Sequence, residues 1–81
     1  MTDSSPTPLY RLHNAAGGLL YVGIAGNPGR RFEQHRQDKP WWGSVANIRL
    51  EHFPTRDAAS EAELKAIRTE RPAYNIVGRS Q

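Results

Sequence analysis

Three arrangements of side chains in this 81-residue chain have the types and spacing to do chemistry. The sharpest involves Glu63. Ala59, Ala62, Ala66 and Ile67 recur at helical spacing, and Glu63 falls on the same side, four residues after Ala59 and four before Ile67. A carboxylate therefore sits where packing calls for an apolar group. Burying it ionised and unpaired costs several kcal/mol, so it must reach the edge of the face, meet a cation, or bind a metal. Glu61, by contrast, points toward water. In the second arrangement, Arg31 and His35 are four residues apart, which stacks a cation and a titratable base on one helix face and leaves Phe32 for the core. The third pairs two phenols. If Asn14 lies opposite Leu19 across a four-residue loop, Tyr10 falls opposite Gly23 and Leu12 opposite Tyr21, so the tyrosines share a face as diagonal neighbours. A one-residue slip separates them. Each arrangement alone has an ordinary structural explanation: a border glutamate, a solvated helix face, or strand tyrosines that pack.

The elements that must position these groups are legible. Leu9 to His13 and Leu19 to Ile24 flank the turn-rich Asn14-Ala15-Ala16-Gly17-Gly18, which predicts a β-hairpin. Asn27-Pro28-Gly29 supplies an N-cap and a proline suited to the first helical position, opening a helix that ends at Pro40. Ser44 to Phe53 alternates, with Ala46, Ile48 and Leu50 on one face and Asn47, Arg49 and Glu51 on the other, which predicts a third strand. Pro54-Thr55 caps a second helix over Arg56 to Glu70, ending before Pro72. The order β-β-α-β-α predicts an α+β fold with a small, three-stranded, mainly antiparallel sheet flanked by helices. Residues 1–8 are expected to be a flexible tail, 9–77 the domain and 78–81 a second tail.

Length allows one domain with a thin core, since a chain of this size buries only about 60% of its unfolded surface. Cysteine is absent, which removes thiol nucleophiles, thiolate metal sites and disulfides and fits a reducing, cytoplasmic setting. No stretch is apolar enough for a membrane span, and the polar start lacks the features of a secretory signal. Eleven basic residues against eight acidic ones give a net charge of +3, and nine of the eleven are arginine, whose planar fork suits phosphate. His13, His35 and His52 show no zinc-ligand spacing. Trp41-Trp42 could stack on bases but lie beside a proline, where packing over the core explains them equally well. Gly17-Gly18 is turn chemistry.

Together these pieces resemble the GIY-YIG nuclease family over Leu9 to Val77. Tyr10 in Pro8-Leu9-Tyr10 matches the tyrosine of the first motif, and Tyr21-Val22-Gly23 matches the second. The helix arginine falls on Arg31, ten residues after Tyr21, and His35 follows four later, as in the restriction-enzyme branch. The family's metal-binding glutamate matches Glu63, and its Pro-x-x-Asn ending matches Pro72-Ala73-Tyr74-Asn75, with Asn75 twelve residues beyond Glu63. Two positions depart: Pro8 and Leu9 replace the first motif's Gly and Ile, and Ile24 stands where many members carry a lysine or arginine.

The resemblance implies a divalent-metal-dependent DNA endonuclease. Glu63 would bind magnesium or manganese, both suited by hard oxygen ligands. Tyr21 would take the proton of the attacking water. A free phenol with a pKa of about 10 is only about 0.1% ionised at pH 7, so His35 is expected to accept the tyrosine proton. Arg31 would clamp a nonbridging oxygen, Tyr10 would position water or phosphate, and Asn75 would orient the site by hydrogen bonds. Arg11, Arg30, Arg36, Lys39 and Arg49 are expected to attract the phosphate backbone of single- or double-stranded DNA. So small a chain leaves little surface for sequence readout, so low specificity is expected, from a monomer or weak homodimer. The other reading, motivated by Ile24, is a nuclease-fold module that binds nucleic acid and cuts weakly or not at all.

Overall fold

The computed structural model describes residues 6–75. Strand β1 (Thr7–His13) and strand β2 (Leu19–Ile24) form the expected hairpin, followed by helix α1 (Pro28–Asp38), a short 3-10 helix (Pro40–Ser44), strand β3 (Asn47–Phe53) and helix α2 (Arg56–Glu70). All strand pairs are antiparallel, in the order β2-β1-β3. This is the α+β architecture anticipated from the sequence.

The hairpin register determines where the tyrosines lie. Tyr10 pairs with Gly23 and Leu12 with Tyr21, as expected, but His13 rather than Asn14 pairs with Leu19. A bulge at this end of β2 absorbs the extra residue and leaves the tyrosine register intact. The loop is closed by Asn14, whose Oδ1 accepts from the Ala16 and Gly18 amides at 3.0 and 2.7 Å, while Gly17 takes a left-handed φ of 89°.

Because side chains alternate along strands, the sheet has two faces of different content. Leu9 and Val22 point to one face and are fully buried, packed against Ala66 of α2 and ringed by Leu19, Ile24, Phe53, Ala62 and Ile67. The alanines of α2 let the helix approach closely, and Ala59 is also fully buried. Each large side chain buried here contributes about 1.5–3 kcal/mol. Tyr10 and Tyr21 occupy the opposite face. Phe32 and His35 of α1 and Trp41 of the 3-10 helix make ring contacts with them, and Trp42 packs behind against Phe32 and His35.

Both helix starts match the sequence signals: Asn27 Oδ1 accepts from the Arg30 amide at 3.2 Å, and Thr55 Oγ1 from the Ala58 amide at 3.1 Å. Other boundaries move. β1 begins at Thr7 rather than Leu9, so Thr7 and Pro8, expected in the tail, are buried in the sheet. β3 begins at Asn47 rather than Ser44 because Pro40, a good helix opener, starts a 3-10 turn, and the chain joins the sheet only where the Ala46 amide meets the His13 carbonyl at 2.8 Å. β3 alternates as expected without gaining burial: Ile48 and Leu50 are 44% and 49% exposed on this edge strand. The expected tail over 78–81, and the last residues of the domain expected to end at Val77, lie outside the described residues.

Candidate active site

Tyr10 is the anchor of the site. Its ring lies directly over Gly23, so close that a Cβ built on Gly23 would sit 2.6 Å from the phenol oxygen. Glycine at this position makes room for the phenol across the hairpin. Phe32 meets the Tyr10 ring edge-on at 5.1 Å, and the Tyr10 hydroxyl hydrogen-bonds to His35 Nε2 at 2.8 Å in a buried setting. Tyr10 has no exposed surface. Burial, with the neighbouring Tyr21, pushes its pKa well above that of a free phenol, and this outweighs the opposing effect of Arg31. Tyr10 therefore keeps its proton. His35 is pushed the other way: burial first, then the charges of Arg31 and Lys39, hold it below its ordinary value against a smaller pull from Asp38. With Tyr10 protonated, a neutral imidazole carrying its proton on Nδ1 is the tautomer that lets Nε2 accept a hydrogen bond from the Tyr10 hydroxyl.

This arrangement corrects two expected roles. His35 was expected to take the proton of Tyr21, but its Nε2 is committed to Tyr10, and it meets Tyr21 only ring to ring, centroids 4.9 Å apart. Tyr10, expected to position water or phosphate, has no exposed surface.

Tyr21 is half-buried and remains within reach of solvent. Its neighbours are Tyr10, His35 and Trp41, the last stacked on it at 5.4 Å. Arg31 projects from α1 one turn before His35, exposed, and its guanidinium interacts with both phenols, Tyr10 more strongly than Tyr21, which raises its own pKa. The shared face of Arg31 and His35 thus serves two ends: the inner residue locks the buried tyrosine and the outer one presents a cation beside Tyr21.

Glu63 sits half-buried at the border of the apolar face of α2. Desolvation raises its pKa, while the nearby charges of Arg31 and, more weakly, Arg56 oppose that shift. Among the described residues, no side chain hydrogen-bonds or ion-pairs with its carboxylate, although Arg31 acts on it through charge. Asn75 works through the backbone: its Oδ1 accepts from the Val22 amide at 2.7 Å and its Nδ2 donates to the Val22 carbonyl at 2.9 Å. The amide imitates a strand partner along the outer edge of β2, beside Tyr21.

The basic residues expected to attract phosphate separate. Arg30 and Lys39 are exposed on the α1 side, with Arg31. Arg36 is held by Glu33 on the helix surface. Arg11 lies on the α2 face and grips Glu70 at 2.9 Å and Glu51 at 3.2 Å, which neutralises it. Arg49, its cross-strand partner, faces the same way. Strand alternation puts both away from the tyrosines, so neither belongs to this site. They line a separate concavity of about 660 Å³ with His13, Gly17, Asn47 and Ile48, which Tyr21, Arg31 and Glu63 do not touch.

Four residues escape the sequence reading. Trp41 and Trp42, set aside there, pack directly against Tyr21, Phe32 and His35, and Tyr74 stacks on Trp41 at 5.1 Å. Arg56, at the start of α2, acts weakly on Glu63 through charge. Only the helical offset between Arg56 and Glu63, two turns of one helix, hinted at any of these contacts.

The paired strands, the buried Tyr10 over Gly23, the adjoining Arg31 and the Asn75 clamp all lie within residues 7–75. A family model described as the GIY-YIG catalytic domain matches residues 8–75. The chain belongs to the GIY-YIG family. That match covers nearly the whole chain and makes the domain one of nuclease type, with nucleic acid as its class of substrate. No curated protein matches the chain. Within this GIY-YIG domain, Ile24, which replaces the basic residue of many relatives, packs against the core cluster of Leu9, Val22 and Ala66, so its side chain serves the α2 face.

Proposed function

We propose that this GIY-YIG domain is a divalent-metal-dependent DNA endonuclease of low sequence specificity. The observation that carries the proposal is the grouping within a nuclease-type domain of the accessible Tyr21, in ring contact with Tyr10 and His35, and of Arg31 one helical turn before His35, close enough to act through charge on Glu63. Tyr21, the accessible phenol, first gives its own proton to solvent, which its half-buried side chain can reach, and as the phenolate takes the proton of the attacking water, since Tyr10 is enclosed and holds its proton. Arg31 stabilises negative charge in two places, on the Tyr21 oxygen as the proton is exchanged and on a nonbridging phosphate oxygen as the phosphorus–oxygen bond breaks. The Tyr10–His35 pair acts through position, fixing the hairpin face and the helix that carries Arg31.

Glu63 fits a metal ligand by the chemistry of its donor set. It offers two hard carboxylate oxygens, no other described side chain hydrogen-bonds or ion-pairs with them, and partial desolvation disfavours leaving their charge uncompensated. A single carboxylate suits magnesium or manganese, which fill their remaining positions with water and substrate oxygens. A bound divalent ion supplies positive charge at the phosphate and the leaving oxygen. Among the described residues, no three metal-ligating side chains cluster, so Glu63 is the ligand assigned here.

The test is cleavage of labelled single- and double-stranded DNA with magnesium, manganese or chelator, beside Tyr21→Phe and Glu63→Gln. Cleavage is expected only with metal and is expected to fall at least about a hundredfold in each variant. Metal-independent cutting, or cutting that survives both substitutions, overturns the assignment. Salt-sensitive binding without cleavage by the wild type would instead favour a binding-only module, the reading suggested by Ile24 in place of a cation.

A further inference from the structure

Three rings form a roughly parallel series that leads outward from the site. Tyr21 stacks on Trp41 with a 26° angle between ring planes, and Trp41 stacks on Tyr74 at 5.1 Å and 8°. Tyr74 ends the series 42% exposed, an unusual position for a rigidly held aromatic. Its backbone has little freedom: its own amide donates to the Leu20 carbonyl at 2.9 Å, the amide of Ala73 donates to the Leu19 carbonyl at 3.2 Å, and Asn75 clamps Val22 from the other side. The preceding Pro72 is buried. A tyrosine needed only for packing would gain by turning further in; this one is pinned to the edge of β2 with a substantial part of its surface in water.

We infer that Tyr74, backed by Trp41, is a stacking platform for an unpaired nucleobase of the DNA strand whose scissile phosphate lies at Tyr21 and Arg31. This inference rests on the nucleic-acid reading of the site and extends it to a substrate form. Every base presents a flat aromatic face, so a preordered ring can hold a base without reading its identity, which agrees with low sequence specificity. A paired base cannot lie on the platform without leaving its stack, so the platform favours single-stranded, frayed or flapped DNA over intact duplex. Trp41 stiffens the platform by fixing the Tyr74 ring plane before the substrate arrives.

The test measures binding apart from cleavage. Fluorescein-labelled oligothymidylate, the same length of abasic sugar-phosphate, and a blunt duplex are titrated with the full chain in chelator. The expected result for the wild type is tighter binding of oligothymidylate than of the abasic strand or the duplex, with quenching of tryptophan fluorescence as the base stacks. Tyr74→Leu, which keeps apolar bulk without a π face, is expected to weaken oligothymidylate binding about tenfold. It should leave abasic binding and the salt dependence unchanged. Tyr74→Phe restores binding and quenching, which separates stacking from loss of fold, and circular dichroism checks both variants. Equal affinity for oligothymidylate and abasic strand, equal loss of both in Tyr74→Leu, or no binding at all overturns the inference. The nuclease reading fails separately, through the metal-dependent cleavage assay: a Tyr74-dependent stack in a protein that never cuts keeps the platform and removes the enzyme.

Discussion

The two faces of the sheet use the same strands for different purposes. On the α2 side, Leu9, Val22 and Ala66 make a closed apolar contact, and Arg11 pairs with Glu70 and Glu51, while Glu63 at the border of the helix face is left without an ion pair among the described residues. On the α1 side the filling is aromatic and polar: Tyr10, Tyr21, Phe32, His35, Trp41 and Trp42. Its key hydrogen bond, Tyr10 to His35, is buried, while Arg31 is left facing outward. Arg11 and Arg31 show the contrast most directly. Both have raised pKa values, but the first owes this to carboxylates that neutralise it and the second to phenols that leave its charge intact. A cation that keeps its field is available to a phosphate. Face, more than residue type, thus decides which arginine can act.

This division is open to direct attack. Leu9→Ala should have the largest effect, a loss of about 2–5 kcal/mol in chemical denaturation, because it leaves a cavity under α2 in a domain with little stability to lose. If Leu9→Ala were as stable as wild type, the α2 face would not be the structural one. Next comes the arginine pair. Arg31→Ala should cut cleavage by about 100- to 1,000-fold with the unfolding midpoint nearly unchanged, whereas Arg11→Ala should retain cleavage and lose at most about 1 kcal/mol of stability. Similar kinetic losses in both would erase the distinction between the faces.

Gly23→Ala sharpens the picture from inside. The new methyl would stand 2.6 Å from the Tyr10 oxygen, so the phenol must shift and its bond to His35 must lengthen. The expected cost is about 1–3 kcal/mol, with a changed near-ultraviolet circular dichroism signal from the aromatic cluster. An unchanged spectrum would mean that Tyr10 is not locked there. The gentlest probe is pH. His35 has a lowered folded pKa, so its contribution to stability is fully present above its ordinary value of 6.5 and is lost as pH falls from there through the folded value. The thermal midpoint of wild type should therefore fall as pH drops below the ordinary value of 6.5, and His35→Gln should lack that part of the slope. The opposite tilt would mean that the imidazole is held charged.

Much of this was readable before any coordinates. Thr55 and Asn27 announced the helix starts, because caps are local chemistry written in a few consecutive residues, whereas the pairing of Tyr10 with Gly23 followed only from placing Asn14 opposite Leu19, and it holds because a bulge compensates for His13 taking that place. Glu63 announced itself as a misfit on an apolar face. What escaped was set by packing between distant segments. Nothing in Trp41-Trp42 says which rings it will meet, and the pairing of His35 with Tyr10 instead of Tyr21 turned on the placement of α1 over the sheet. The exposure of Ile48 and Leu50 was equally hidden, since alternation fixes a side and says nothing about whether another element covers it.

By itself, the amino-acid sequence determined the order of elements, the hairpin register that puts two phenols on one face, and the oddity of Glu63, all consequences of periodicity and short-range hydrogen bonding. Only the tertiary structure decided which tyrosine stays accessible, which arginine keeps its charge, and where Asn75 and Tyr74 come to rest. Those outcomes depend on desolvation and on neighbours tens of residues away, and both come into existence only when the helices close on the sheet.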